Sequence, residues 1–326
     1  MLLLIQYTLI FSSVLILVAL GGCISEHSGV INLGLEGIMV IGALGGALMM
    51  RYCQTESALV MVLLVILSAT LFGMIYSALL GVACINFKAD QTLVGTAMNL
   101  LGTAAATVIV KALNTAENPN NPSSTIQYIA AKKNFLIVEG YEFNWFMPLA
   151  LILLILSYII LYKTRFGLRL MACGEHPQAA DSVGINVRRM RYAGVMISGL
   201  LGGLGGLVYI TAGVSEWKFE NGVAGFGFLA LAVMIFGGWK PFRIALAALL
   251  FGGWKPTKIA LAALLFGLFR SLSNVYTGFA FLNGLNLPGT VYNMLPYIIS
   301  LVVLIFFSAN SAAPKAEGIP YDKGSR

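Results

Sequence analysis

Nine apolar blocks, at about 2–22, 30–50, 58–85, 92–112, 145–162, 191–212, 223–238, 257–275 and 291–308, dictate the fold class of this chain. Most have the roughly 20 residues that an α-helix needs to cross a bilayer. In hydrocarbon a chain must satisfy its backbone hydrogen bonds within itself, so blocks of this length fold as helices. Charged residues make up only 10% of the chain, against about 25% in ordinary soluble domains. The expected class is all-α: a polytopic transmembrane bundle of about 8–10 helices.

The net charge of +7 does not point to nucleic acid, because the bases collect at the ends of apolar blocks, where membrane topology places them. The longest polar stretch between two apolar blocks, 163–191, holds Lys163, Arg165, Arg169, Arg188, Arg189 and Arg191. Placing it in the cytoplasm also puts Lys88, Lys240, Arg243, Lys255, Lys258, Lys315, Lys323 and Arg326 inside, 14 of the 20 bases. Arg51, Lys111, Lys132, Lys133 and Lys218 then lie outside, and Arg270 falls in a span. Segment 113–143 becomes an external loop, the N-terminus becomes external, and a first inner turn is expected at Gly21 to Gly29.

Leu20-Gly21-Gly22-Cys23 has the form of a lipoprotein cleavage box, but no base precedes Arg51, so the basic start of a signal peptide is missing. Residues 2–22 are therefore expected to be the first span. Cys23, Cys53, Cys84 and Cys173 show neither paired nor metal-ligand spacing and are assigned no chemistry.

Within 163–191, Pro177 is placed to open a short helix that Gly184 closes. A solvated connecting loop is the plain alternative. The order of residues from Gly174 to Asn186, G-E-H-P-x-A-A-D-S-x-G-I-N, resembles the coupling loop of permease subunits in ABC importers of the ribose and branched-chain amino acid type. It is nearest to the nucleoside-importer branch, whose pattern is R-A-x-G-E-N-P-x-A-A-x-x-x-G-I. His176 stands where Asn is usual, and Met171 lies near an expected small or basic position. The resemblance implies that Gly174, Glu175, His176, Pro177, Ala179, Ala180 and Gly184 dock on an ATPase.

Glu36 is the second landmark, a carboxylate several residues into an apolar block. Unpaired at the membrane centre it costs about 2.5–3.5 kcal/mol on insertion scales, so partners or a cavity are required. Gly29, Gly34 and Gly37 predict a broken second helix whose free amides bind it. A gating role and a helix-start cap are both open. G-V-I-N-L-G-L-E-G-I-M, from Gly29 to Met39, also resembles the G-x-x-N-x-G-x-E-G-x-M signature of the same permeases. Block 92–112, preceded by Asp90-Gln91 and holding Thr96 and Asn99, resembles their D-Q-x-x-x-G-T-A-x-N-L-L run. Asn32, Glu36, Gln91 and Asn99 are accordingly the candidates for the translocation path or its gate, although polar residues in spans more often bond neighbouring helices.

Block 191–212 carries small-xxx-small spacings at 199/203 and 202/206, which permit close helix packing. No Gly-x-x-x-x-Gly-Lys-Ser/Thr phosphate loop occurs, so any ATP is hydrolysed by another chain. A tandem repeat follows: FGGWKPFRIALAALL at 236–250, then at once FGGWKPTKIALAALL at 251–265. The resemblance predicts one copy. The extra 15 residues add roughly 22 Å of helix, and they are expected to form a re-entrant or interfacial hairpin on the cytoplasmic side. Residues 278–290 read as an external loop and 309–326 as a short flexible cytoplasmic tail, leaving 1–308 as the transmembrane domain.

The resemblance implies a membrane-spanning importer subunit that performs no covalent chemistry. It implies no cofactor on this chain, with ATP and Mg on a partner ATPase subunit. The other implied partners are a second permease subunit, a sibling chain or an identical copy, and an extracytoplasmic substrate-binding protein. A nucleoside is the leading solute, with a simple sugar, a riboflavin-like compound or a branched-chain amino acid as alternatives. Few ionisable residues in the spans favour a neutral solute and count against an autonomous secondary transporter or channel. An intramembrane enzyme finds no cluster of catalytic side chains.

Overall fold

The computed structural model describes residues 2–53, 57–127, 135, 144–213, 216–252 and 313–322. The expected helices at 257–275 and 291–308, the loop at 278–290 and Arg270 lie outside the described residues. The elements in order are α1 (Leu2–His27), α2 (Leu35–Tyr52), α3 (Ala58–Gly81, continued by a π-turn Val82–Asn86) and α4 (Gln91–Glu117). Then come β1 (Thr125–Gln127), α5 (Phe146–Lys163), α6 (Arg165–Glu175), α7 (Pro177–Ser182) and α8 (Val187–Gly213). The last are β2 (Glu216–Lys218), a 3-10 turn Phe219–Asn221, α9 (Phe226–Phe236) and α10 (Pro241–Gly252). Seven of the described segments are long and apolar enough to cross a membrane. The protein is a multi-pass helical membrane protein.

α8 is the central helix, packed on α1, α2 and α3. Its glycines remove the side chains that would hold backbones apart. A Cβ added to Gly42 of α2 would lie 2.2 Å from the Gly203 Cα, and one added to Gly206 would lie 1.9 Å from the Met39 carbonyl oxygen. The small-residue spacings at 199/203 and 202/206 therefore mark helix contacts. Outward, α3 presents Leu59, Leu63, Leu67 and Ile75, and α5 presents Leu151, Ile152, Ile155 and Ile159. These apolar faces suit hydrocarbon, where every polar backbone group is already satisfied within the helix.

The bases sort to two ends. Lys88 pairs with Asp322 at 3.1 Å, and Ala316 N–H donates to the Gly174 carbonyl at 2.8 Å, at the end that carries α6 and α7. At the opposite end Arg51 pairs with Glu117, and Lys111 and Lys218 both reach Glu220. There β1 and β2 pair antiparallel, with Thr125 opposite Lys218. Among the described residues, Lys88 and Lys315 lie at the end that carries α6 and α7, and Arg51, Lys111 and Lys218 lie at the β end.

Three expectations change. The first turn does not span Gly21 to Gly29: α1 runs on to His27 and the turn is Ser28–Gly34. Gly21 is a packing residue, its missing Cβ making room 3.0 Å from the Ser198 carbonyl oxygen. Arg191 is 1% exposed, so it is no solvated topological charge. The tail is not loose over 313–322; it lies against α6 and α1.

The first repeat copy begins at the end of α9, turns through Gly237–Lys240 with Trp239 at φ +55°, and continues as α10. Trp239 meets Glu26 near the end of α1, while Ser12 Oγ, fourteen residues back, donates to the Ala248 carbonyl. α10 therefore runs along α1 into the bundle and does not lie at the interface. From residue 253 onward the second copy lies outside the described residues, and with it the hairpin expected there.

Candidate functional site

Two arrangements hold the candidate residues. The first is centred on the non-helical passage Ser28–Gly34, whose backbone groups cannot use an α-helical ladder. Side chains replace it. Gln91 Oε1 accepts Ile31 N–H at 2.6 Å, and Asn99 Oδ1 accepts Gly37 N–H at 2.8 Å. Asn99 Nδ2 donates to the Leu33 carbonyl, and Asn32 bonds Ser198 Oγ through Nδ2 and Gly34 N–H through Oδ1. Asn32, Gln91 and Asn99 are all buried. The structure brings these three together with Glu36, as braces around the passage.

Glu36 is 9% exposed, and its carboxylate accepts Gly225 N–H at 2.8 Å and Gly227 N–H at 2.7 Å. The donors are not the amides of Gly29, Gly34 or Gly37. They are the free amides at the start of α9, whose first turn also concentrates the positive end of the helix dipole. Gly227 is obligatory there, since a Cβ would lie 2.4 Å from the Glu36 nitrogen. α9 is only 11 residues long, about half a span. Its N-terminus lies between the two ends of the bundle, near Thr103 in the middle of α4. The glycine-rich run Gly222 to Gly227 was the available sequence signal for this partner.

The second arrangement is the 163–191 segment. Thr164 caps α6 by accepting Gly167 N–H at 3.2 Å. α6 ends at Glu175, Pro177 occupies the first turn of the six-residue α7, and Gly184 follows at φ +83°. Cys173, Ala180 and Val187 form a small core of their own. Burial pushes the Cys173 thiol up to about 11, which suits a packing residue. Gly174 lies directly on α1, where a Cβ would come 2.3 Å from the His27 carbonyl oxygen. Glu175, His176, Ala179 and Gly184 are exposed, Pro177 is half-buried, and Gly174 and Ala180 are buried. The candidate residues therefore divide into a presented face and the scaffold that holds it.

Composition did not single out Glu26, Trp239 or Glu317. Trp239 Nε1 donates to the buried Glu26 carboxylate, and the Glu317 carboxyl from the tail lies beside it. The Ser25-Glu26-His27 triplet closing the first apolar block was the only local hint. No group of three or more metal-ligating side chains occurs among the described residues.

The sequence profile of the permease component of branched-chain amino acid transport systems matches residues 4–308. The chain belongs to this permease family. It is 39% identical over 324 residues to the guanosine ABC transporter permease protein NupQ of Bacillus subtilis, covering 98% of this chain and 96% of that one. It is 36% identical over 325 residues to the nucleoside ABC transporter permease protein NupC of Lactococcus lactis, covering 97% and 95%. The fructose import permease protein FruG of Bifidobacterium longum is 26% identical over 224 residues, 69% of this chain and 64% of its own. No solved structure matches. The seven candidate spans agree with membership of a permease family.

Proposed function

We propose that this permease is the membrane-spanning subunit of an ATP-driven importer for nucleosides. The observation that carries this is its near full-length similarity to permeases named for guanosine and nucleoside transport. The exposed face of Glu175, His176 and Ala179 is the docking surface for an ATPase subunit, which supplies ATP and Mg. A second permease completes the path, and an extracytoplasmic binding protein delivers solute at the β end.

The work of transport is a movement of α7 passed into the bundle. In discontinuous membrane helices a half-helix N-terminus often faces an anionic group of the solute. Here Glu36 occupies that position on α9, so the positive end is already neutralised. This supports a neutral, hydroxyl-rich solute. The Glu36 contact also joins α2 to α9, and its release and re-formation is the gating step we assign to it.

A sugar is the second reading, favoured by the similarity to the fructose permease. The deciding experiment is uptake of labelled guanosine with unlabelled nucleosides or sugars as competitors, in cells carrying the permease and its partners. ATP-dependent uptake that Ala179→Glu abolishes in a membrane-inserted protein supports the proposal. Competition by sugars alone gives the sugar reading, and uptake by this chain without an ATPase overturns the importer.

A further inference from the structure

The segment Pro314–Asp322 touches six parts of the basic end at once. Ala316 N–H donates to the Gly174 carbonyl at the end of α6. Tyr321 packs on the Cys173, Ala180 and Val187 core, beside Asp181 of α7. Arg191 Nη1, at the start of α8, donates to the Ile319 carbonyl at 3.0 Å. Asp322 pairs with Lys88 between α3 and α4, and Glu317 meets Glu26 at the end of α1. Gly318, at φ +76°, makes the bend, and a Cβ there would lie 2.9 Å from Ile31 Cδ1.

These contacts divide between the polar module and the bundle. Gly174 and Asp181 belong to the module; Glu26, Ile31, Lys88 and Arg191 belong to the helices and to the Ser28–Gly34 passage. Docking also leaves Arg191 Nε and Nη2 without partners and buries an acid against an acid. A chain end with no task there would relieve both costs by lifting into water.

We infer that residues 314–322 form a strap that transmits displacement of α7 to the ends of α1 and α4, making it a positioning element for transport. This rests on the reading that α7 receives an ATPase. Without the strap, α7 keeps its docking face but loses its direct ties to Glu26 and Lys88. Force applied to α7 then reaches the bundle only through α6 and α8.

The test uses the complete transporter, with ATPase, second permease and binding protein, reconstituted in proteoliposomes. Three variants are compared with wild type: the chain ended after Ala313, Gly318→Val, and Tyr321→Phe. The expected result is an ATPase subunit that still co-purifies, ATP hydrolysis within about twofold of wild type, and nucleoside uptake per ATP lowered about tenfold. If the shortened chain fails to assemble, the two point variants decide. Unchanged uptake per ATP overturns the strap, as does a parallel fall of hydrolysis and uptake, which marks a merely structural tail. A wild-type chain that retains no ATPase subunit overturns the functional reading itself, a distinct outcome.

Discussion

The Glu36 carboxylate accepts the Gly227 amide at 2.7 Å across 191 residues of sequence, closing the start of α2 onto the start of α9. Gly225 N–H donates to the other carboxylate oxygen. Glu36→Ala leaves both amides without a charged acceptor, at about 1.5–3 kcal/mol for each bond. Glu36→Gln keeps one acceptor and turns an amide N–H₂ toward the other donor. Uptake should fall about tenfold or more for Ala, with Gln between Ala and wild type. Thermal unfolding in detergent, measured alongside, should follow the same order. Wild-type uptake by Glu36→Ala would remove the gating role.

Gly184 isolates backbone conformation from packing. No heavy atom lies within 4 Å of a Cβ added there, yet its φ is +83°. Gly184→Val should cost about 1–2 kcal/mol through left-handed strain alone, and Gly184→Asn much less. Protease cleavage within 177–186 reads the difference, Val being cut faster and Asn close to wild type.

Gly203 gives the opposite case. It is helical and unstrained, but a Cβ would lie 2.5 Å from the Ala69 carbonyl oxygen. Gly203→Val forces α3 and α8 apart, an overpacking cost of about 1–3 kcal/mol or more. The yield of membrane-inserted, monodisperse protein should drop sharply, and Gly203→Ala should lie between.

The docked tail should respond to pH. Burial pushes the Glu317 carboxyl above the usual carboxylate range, with its Glu26 neighbour acting the other way. Glu26 faces it, with Cys23 and His27 behind on α1 and Glu175 beyond on α6. An acid whose docked value is raised binds its proton more tightly when docked. Its contribution is therefore full below the undocked value and is lost as pH rises through the docked one. Proteolysis of the tail should be slow in mild acid and speed up as pH rises, and Glu317→Gln should flatten that dependence. A wild-type rate independent of pH would count against a docked, half-buried Glu317.

Much of the bundle was legible in advance because the bilayer imposes a length and a composition on each span. Blocks 58–85, 92–112 and 145–162 appear as α3 with its π-turn, α4 and α5, with ends moved by a few residues. Pro177 and Gly184 bracketed α7 because both act through local backbone geometry. Gly21 misled, since glycine as a turn and glycine as a packing surface look alike until the neighbouring helix is present. The need for partners at Glu36 followed from the cost of burying a charge, but the identity of those partners did not.

Sequence by itself determined what depends on short-range patterns and on the solvent: spanning helices, the sorting of bases to two ends, the short proline-led helix and the family motifs. Tertiary structure decided which distant groups meet. Glu36 with Gly225 and Gly227, Glu26 with Trp239 and Glu317, and Arg191 beneath the tail are contacts between segments far apart in the chain. In the apolar interior a polar group must find a partner wherever the packing brings one, and no local pattern records where that will be.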